Sequence, residues 1–141
     1  MKDLDIAKTL LTEKNYTLVI VKNGRIIFNT NSHGIRGLLT TIEEVGKDLK
    51  GSSAADKIVG EAAAHLLAYS NVLEVFALTL SRCGKSILEK NNINYEYRIL
   101  VPHILNLTKT DFCPFEKLVS ECRSPEEAHE KLKEHIKQLA S

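Results

Sequence analysis

Residues Gly51–Tyr69 have the sequence GSSAADKIVGEAAAHLLAY, and the predicted fold depends on this stretch. Its apolar residues recur at the three- and four-residue spacing of a helix. They are Ala55, Ile58, Val59, Ala62, Ala63, Leu66 and Leu67. Ser52 and Ser53 stand before the run, and either hydroxyl could accept a hydrogen bond from a free N–H group of a helix start. The stretch therefore predicts a central, mostly buried helix that begins near Ser53.

The first turn of this predicted helix carries two charged residues, Asp56 and Lys57. Charged side chains on a buried helix are costly unless they are paired or functional. A helix start also has unpaired N–H groups and the positive end of the helix dipole, which together favour anions. We therefore predict a site at this helix start. The alternative is that Asp56 complements the dipole while Lys57 pairs with Glu61.

The length and composition indicate one soluble domain that spans residues 1–141. A net charge of +1 gives no general argument for a nucleic acid or an anionic membrane as partner. The N-terminus lacks the apolar run of a signal peptide, and no stretch is long enough to span a bilayer. Three cysteines without a Cys-x-x-Cys pair fit free thiols, so a reducing cytoplasm is the expected location.

The flanking sequence predicts the remaining helices and strands. YTLVIV at 16–21 and RIIFN at 25–29 surround Asn23-Gly24, which is the strongest short-range signal for a hairpin. Val72–Leu80 is almost continuously apolar, as in a strand covered on both faces, and Asn94–Val101 alternates as a further strand. Helices are predicted at Asp3–Glu13, Leu38–Leu49, Lys85–Lys90, Cys113–Cys122 and Pro125–Leu139. This order indicates a three-layer α/β/α sandwich with a mixed sheet of at least four strands.

Three segments give the chain a resemblance to a known family. They are ADKIVG at Ala55–Gly60 with the following Ala62–Ala64, VPHILN at Val101–Asn106, and CPFE at Cys113–Glu116. From about Tyr16 to Val119 the chain resembles a prokaryotic domain-of-unknown-function family with a cytidine-deaminase-like fold. The resemblance implies that fold and assigns no chemistry. Members of the family often have Lys where Glu61 stands and Arg where Leu107 stands, so these two positions depart from the family pattern.

The deaminase-like fold raises the question of zinc chemistry. A zinc deaminase needs a His or Cys with a Glu two residues later at one helix start, and a Cys-x-x-Cys pair at another. The predicted helix start near Ser53 supplies neither ligand type. The second motif would fall at Ser81–Ser86, SRCGKS, where Cys83 is the one remaining thiol. The sequence therefore predicts no bound metal and no other cofactor.

Further candidate residues lie outside the central stretch. Cys113 begins a predicted helix, where the dipole favours a nucleophilic thiol, and Glu116 could serve as its base. Alternatively, Glu116 only caps the backbone N–H group of Cys113. Ser81 and Arg82 end the Val72–Leu80 strand, where α/β folds place ligands, unless they are only a helix cap and a surface residue. Weaker candidates are His33 with Arg36 in a glycine-flanked loop, and Glu61 with His65 one helical turn apart.

Two functions are compatible with these residues. The first is a metal-independent deaminase-fold protein that binds a small anionic, nucleotide-like molecule in a crevice between helix N-termini. The residues expected to bind the ligand are Ser52, Ser53, Ser81 and Arg82. The residues expected to take part in catalysis are Cys113, Glu116, Asp56 and Lys57. The second is a non-enzymatic interaction or oligomerisation module with a degenerate pocket, and an edge strand such as Asn94–Val101 makes a homodimer the expectation in either case.

Overall fold

A computed structural model describes residues 2–32, 34–106 and 108–140, so His33 and Leu107 lie outside the described residues. Within those ranges the chain forms six α-helices and five β-strands. In chain order they are α1 (Asp3–Glu13), β1 (Leu18–Lys22), β2 (Arg25–Thr30), α2 (Ile35–Val45), β3 (Ser53–Val59), α3 (Glu61–Tyr69), β4 (Glu74–Ser81), α4 (Arg82–Lys90), β5 (Asn94–Val101), α5 (Pro114–Val119) and α6 (Pro125–Ala140). A short 3-10 helix, Gly46–Leu49, follows α2.

The five strands form one mixed sheet in the order β2-β1-β3-β4-β5. β1 pairs antiparallel with both β2 and β3, whereas β3, β4 and β5 are parallel to one another. The predicted hairpin is confirmed, because Asn23 and Gly24 adopt φ angles of 53° and 77° in the turn between β1 and β2. Both carboxylate oxygens of Asp3 accept hydrogen bonds from this turn, from the N–H groups of Asn23 and Gly24 at 2.8 Å each.

Helices cover both faces of the sheet and give it three layers. On one face α1 packs alone, and its Leu4, Ala7 and Leu11 contact a small core that includes Phe76. On the other face α3 lies at the centre of a larger core to which α2, α4, α5 and α6 also contribute. This arrangement confirms the predicted α/β/α sandwich. No helix in the described ranges is both long enough and apolar enough to cross a membrane.

The prediction of one helix across Gly51–Tyr69 is wrong in its first half. Ser53–Val59 forms β3, a central strand hydrogen-bonded to β1 on one side and to β4 on the other. Ala54 and Ala55 are fully buried on opposite faces of the sheet, where small side chains let helices pack closely. A short apolar run fits a doubly covered strand as well as a helix, and pairing with two remote strands decides between them. The helix begins only at Glu61.

Candidate functional site

A pocket of about 460 Å³ opens at the carboxyl ends of the parallel strands. The starts of α3 and α4 meet there, and the chain after β5 together with α5 closes the opposite side. In open α/β sheets, ligands bind at the carboxyl ends of the strands. The residues that line the pocket are Glu61, Ser81, Cys83, Pro102, His103, Ile104, Phe112, Glu116, Lys117 and Ser120.

Glu116 caps the start of α3 from the other side of the pocket. Its Oε1 accepts a hydrogen bond from the Glu61 N–H group and its Oε2 accepts one from the Ala62 N–H group, each at 2.7 Å. These are two of the N–H groups that a helix start leaves without an internal partner, and the carboxylate also meets the positive end of the dipole. The start of α3 is therefore not open to an external anion, which corrects the prediction of an anion site at this helix.

The N-cap residue of α3, Gly60, is required by this arrangement. A Cβ atom at Gly60 would lie 2.0 Å from Oε1 of Glu116 and 2.7 Å from Cγ1 of Ile104. The backbone itself is extended, with φ −101° and ψ −165°, so the requirement comes from these neighbours. Gly84 in the first turn of α4 is also enclosed, because a Cβ atom there would lie 2.9 Å from the Val59 carbonyl oxygen. The two glycines thus let β3, α4 and α5 meet at one point.

Burial shifts the pKa of three ionisable side chains in the pocket toward the uncharged form. Burial raises the pKa of Glu116, although its two backbone hydrogen bonds oppose the rise. Burial, and then the charge of Glu116, raise the pKa of Glu61. Burial and the two glutamates raise the pKa of the Cys83 thiol, so that Cys83 is held as a neutral thiol and not as a thiolate. The pocket therefore presents carboxyl groups and a thiol, with little tendency to hold a second negative charge.

An aromatic pair forms one wall of the pocket. The rings of His103 and Phe112 lie 4.6 Å apart between centroids, at an interplanar angle of 38°. The irregular segment that carries them is closed by a bridge between Leu105 and Phe112 and by a hydrogen bond from the Cys113 N–H group to the Ile104 carbonyl oxygen at 3.0 Å. Sequence reasoning did not select His103 or Phe112 as site residues, although His103 stands in the VPHILN segment.

Ser81 is in the pocket, as predicted, and Arg82 follows it at the start of α4. The buried Ser81 Oγ accepts a hydrogen bond from the Gly84 N–H group at 2.9 Å, so it caps α4. Arg82 is exposed and does not line the pocket. Arg36, the other cation singled out in the sequence, lies in the first turn of α2 and is not a lining residue either.

Ser52 and Ser53 lie at the opposite end of β3 from the pocket. The Ser52 hydroxyl donates to the Leu49 carbonyl oxygen at 2.6 Å, and the Ser53 hydroxyl donates to Oε1 of Glu74 at 2.9 Å. Ser53 begins β3 and the pocket lies beyond its end, so a seven-residue strand, roughly 20 Å long, separates them. The structure therefore does not bring these two serines together with Ser81.

Asp56 and Lys57 lie within β3 and not at a helix start. Lys57 donates from Nζ to Oδ1 of Asn15 at 3.1 Å, and Asn15 follows α1. Oδ1 of Asp56 accepts from the Ile58 N–H group at 3.3 Å. The predicted ion pair between Lys57 and Glu61 required one continuous helix, and neither partner forms a salt bridge among the described residues. Neither Asp56 nor Lys57 lines the pocket.

Asp56 gives the free energy of unfolding a defined pH dependence. Burial raises the pKa of its carboxyl from an ordinary 3.8 to about 7, against the opposing effect of the backbone N–H groups of Ile58 and Lys57. The native state therefore holds this proton more tightly than the unfolded chain does. With respect to this group, stability is greatest below pH 3.8, falls as the pH rises, and becomes constant above about 7.

The variant Asp56→Asn is expected to remove this decrease in the free energy of unfolding with rising pH. Its free energy of unfolding should exceed that of the wild type by about 2 kcal/mol well above pH 7, roughly half of the ~4 kcal/mol that the shift would give for a fully buried carboxyl, because this side chain is half-buried. The difference should vanish well below pH 3.8. Urea unfolding followed across this pH range measures the difference. Asp48→Asn, on the exposed 3-10 helix, is the matched control and should show no such trend. A difference between Asp56→Asn and wild type that does not change with pH would contradict the prediction.

Cys113 occupies the N-cap position of α5, immediately before Pro114. Its side chain is half-buried, makes no capping hydrogen bond and does not line the pocket. Glu116 bonds to the start of α3 and not to the Cys113 backbone, so the expected capping box is wrong. The predicted pair of a Cys113 nucleophile with a Glu116 base remains a prediction, now with Glu116 already committed to two hydrogen bonds.

The side chains present do not fit the zinc site of a deaminase. The start of α3 offers Glu61, and the start of α4 offers one thiol, Cys83, with Ser86 where a Cys-x-x-Cys pair would have its second thiol. His65 is 2% exposed, and its ring nitrogens have no hydrogen-bond partner among the described residues. It does not line the pocket, so it does not join Glu61 there. Within the described ranges no three His, Cys, Asp or Glu side chains form a group suited to a metal ion.

Comparison with solved structures supports the fold. A DUF1893 family protein from Thermotoga maritima is 27% identical, with a TM-score of 0.88 over 96% of this chain and 91% of that one. The dCMP deaminase of cyanophage S-TIM5 is 13% identical, with a TM-score of 0.50 over 68% of this chain and 94% of that one. RibD of Acinetobacter baumannii is 18% identical, with a TM-score of 0.47 over 69% of this chain and 33% of that one. The likeness to the dCMP deaminase identifies the fold as cytidine-deaminase-like.

Comparison with protein families gives a consistent assignment. No curated protein matches the chain. The model of the domain of unknown function DUF1893 matches residues 6–136, which is most of its length. The chain therefore belongs to the DUF1893 family.

Proposed function

We propose that this protein binds a small molecule containing a nucleobase in the pocket at the starts of α3 and α4, without a metal ion. The proposal rests on one observation. A single pocket of about 460 Å³ contains both the free carboxyl group of Glu61 and the aromatic wall formed by His103 and Phe112. Ligand pockets of this size combine apolar and aromatic walls with a few polar groups that fix orientation. A planar heterocycle meets both requirements.

Glu61 is the group expected to recognise the base. Its carboxyl makes no hydrogen bond to another described residue, whereas the carboxylate of Glu116 is held by two N–H groups of α3. Because its pKa is raised, Glu61 has an accessible protonated form that donates one hydrogen bond and accepts another. The amide or amidine edge of a nucleobase offers the complementary pair. Glu61 therefore suits the base better than it suits a phosphate.

A nucleotide would have to place its phosphate outside the start of α3, which Glu116 already occupies. Lys117 lines the pocket and is exposed, although it pairs with Asp111. The similarity of fold to a protein named dCMP deaminase makes a pyrimidine nucleotide or nucleoside the first ligand to test. We propose no deamination step, because the donor set does not suit zinc, and no covalent step at Cys83, because burial raises the pKa of this thiol.

Ligand binding can be measured by thermal denaturation and calorimetry with free bases, nucleosides, nucleoside monophosphates and ribose 5-phosphate. Compounds with a base should raise the unfolding temperature, and ribose 5-phosphate should not. Glu61→Ala should weaken binding about tenfold, since it removes both the donor and the acceptor and each such hydrogen bond is worth about 0.5–1.5 kcal/mol. Phe112→Ala should also weaken binding, through the loss of the aromatic wall.

Glu43→Ala, an exposed substitution on α2, is the matched control and should bind as the wild type does. If ribose 5-phosphate bound as tightly as the nucleotide, the group recognised by the pocket would be the phosphate and not the base. An absence of binding by any compound with a base, or equal affinity in Glu61→Ala and Glu43→Ala, would overturn the proposal.

A further inference from the structure

Strand β5 leaves one long edge of the sheet without a partner. It is the last strand in the order β2-β1-β3-β4-β5, and no other described strand pairs with its outer side. Five of its eight residues are exposed, including Tyr97 at 39% and Ile99 at 54%. An exposed edge presents a row of free N–H and C=O groups that can pair with another chain. β5 is therefore a candidate interaction surface.

β5 carries one acidic and one basic side chain, Glu96 and Arg98, on the same face of the sheet. Glu96 and Arg98 flank Tyr97, and residues two apart point to the same face of a strand. Both lie on the face that α1 covers, because Glu96 pairs with Lys8 at 3.4 Å and Arg98 lies 5.7 Å from the centroid of the Phe76 ring. The strand thus carries one acid and one base on the same face, one on each side of Tyr97.

We propose that this protein forms a homodimer in which β5 pairs antiparallel with β5 of a second copy, around a two-fold axis through Tyr97. In this register Glu96 of each copy faces Arg98 of the other, so two opposite-charge pairs form. On the opposite face of the sheet, Tyr95 lies across from Ile99 of the second copy. Asn94 lies across from Leu100 of the second copy, on the same face as the two charge pairs. Opposite charges and aromatic–aliphatic pairs directly across two strands each contribute about 0.2–1 kcal/mol. The two five-stranded sheets would become one continuous sheet.

The neighbouring registers are disfavoured by the same two charges. A shift of the axis by one residue centres it on Glu96 or on Arg98, which places two like charges directly opposite each other. Like charges in that position are destabilising. The other edge of the sheet, β2, has the sequence RIIFNT, with one basic residue and no acid, so it offers no opposite-charge pair of this kind. The charge pattern therefore selects both the edge and the register. The inference does not depend on the proposed ligand.

Charge reversal tests the register directly, with the molar mass of the full chain measured by light scattering across a range of concentrations. The wild type should approach twice its 15.8 kDa as the concentration rises. Glu96→Arg and Arg98→Glu, made singly, should each shift the mass toward that of the monomer, since each places like charges opposite each other. The double variant Glu96→Arg/Arg98→Glu restores opposite charges in the same register and should dimerise again.

Lys8→Gln is the matched control, because it breaks the intrachain pair with Glu96 and leaves β5 unchanged; it should dimerise as the wild type does. A wild-type chain that stays monomeric into the near-millimolar range would overturn the proposal. So would a double variant no better associated than the two single variants, with all variants folded by circular dichroism.

Crosslinking provides a second measurement that does not depend on charge. In a Cys83→Ser background, Tyr97→Cys should form a covalent dimer through its own equivalent, because the two Cβ atoms would lie about 5 Å apart. Ile99→Cys should not, because the register separates the two copies of that residue by four positions, or about 13 Å. Equal crosslinking of the two variants would exclude this register even if a dimer forms.

Discussion

Gly60→Ala is expected to lower the free energy of unfolding by about 3 kcal/mol or more, since overpacking costs about 1–3 kcal/mol and broken hydrogen bonds add to it. The new Cβ atom would lie 2.0 Å from Oε1 of Glu116 and 2.7 Å from Cγ1 of Ile104. The carboxylate cannot simply rotate away, because it accepts hydrogen bonds from the Glu61 and Ala62 N–H groups. The variant must break these bonds or displace the backbone.

Urea unfolding measures this effect, and the double variant Gly60→Ala/Glu116→Ala is its control. Removal of the carboxylate relieves the shortest contact and leaves the one with Ile104. The double variant should therefore lose less stability than the sum of the two single losses, as expected for residues that share a contact. A Gly60→Ala variant within about 0.5 kcal/mol of the wild type, the range of neutral surface substitutions, would contradict the packing described here.

Glu116→Ala is expected to have the second largest effect, a loss of about 2 kcal/mol. Two N–H groups at the start of α3 would lose a charged acceptor, and the α5 side chain that fills the space above Gly60 would be gone. Glu116→Gln should fall between alanine and the wild type. Its amide has one oxygen to accept a hydrogen bond, and its NH₂ group would face an N–H donor.

The comparison of Glu116→Ala with Glu121→Ala separates this capping role from a general effect of negative charge. Glu121 is exposed in the turn after α5, so its loss should change stability by no more than about 0.5 kcal/mol. Guanidinium unfolding of both variants at neutral pH provides the measurement. Equal stability of the two variants would show that the Glu116 carboxylate does not hold α3.

The elements predicted correctly are those whose determinants are local in the chain. Asn23-Gly24 fixes the hairpin because both residues accept positive φ, and β5 was predicted with the bounds it has. β3 was missed because its alanines suit a helix when considered alone. Only pairing with β1 and β4, which lie elsewhere in the sequence, makes the same residues a strand. The overall fold survived this error because α3 still follows at Glu61.

The candidate site was predicted only in part, for a similar reason. Ser81 lines the pocket, as its place at the end of an apolar strand predicted, but its hydroxyl caps α4, and ligand binding by Ser81 remains a prediction. The selection of Ser52, Ser53, Asp56 and Lys57 followed from a helix start placed eight residues too early, at Ser53 instead of Glu61. The role of Glu116 depends on a contact between residues 55 positions apart, which no local pattern in one sequence reveals. Gly60 is the nearest signal, since a glycine between a strand and a helix indicates a close approach.

The distance along the chain between α3 and its cap also bears on the order of folding. During synthesis β1, β2, β3 and α3 leave the ribosome well before Glu116, which follows Glu61 by 55 residues. Until then the first turn of α3 has no carboxylate to hold it, and an uncapped helix start frays. Closing so long a loop is slow compared with local structure formation. We therefore expect the nascent chain to keep the end of its central parallel strands open until the last third of the protein has emerged.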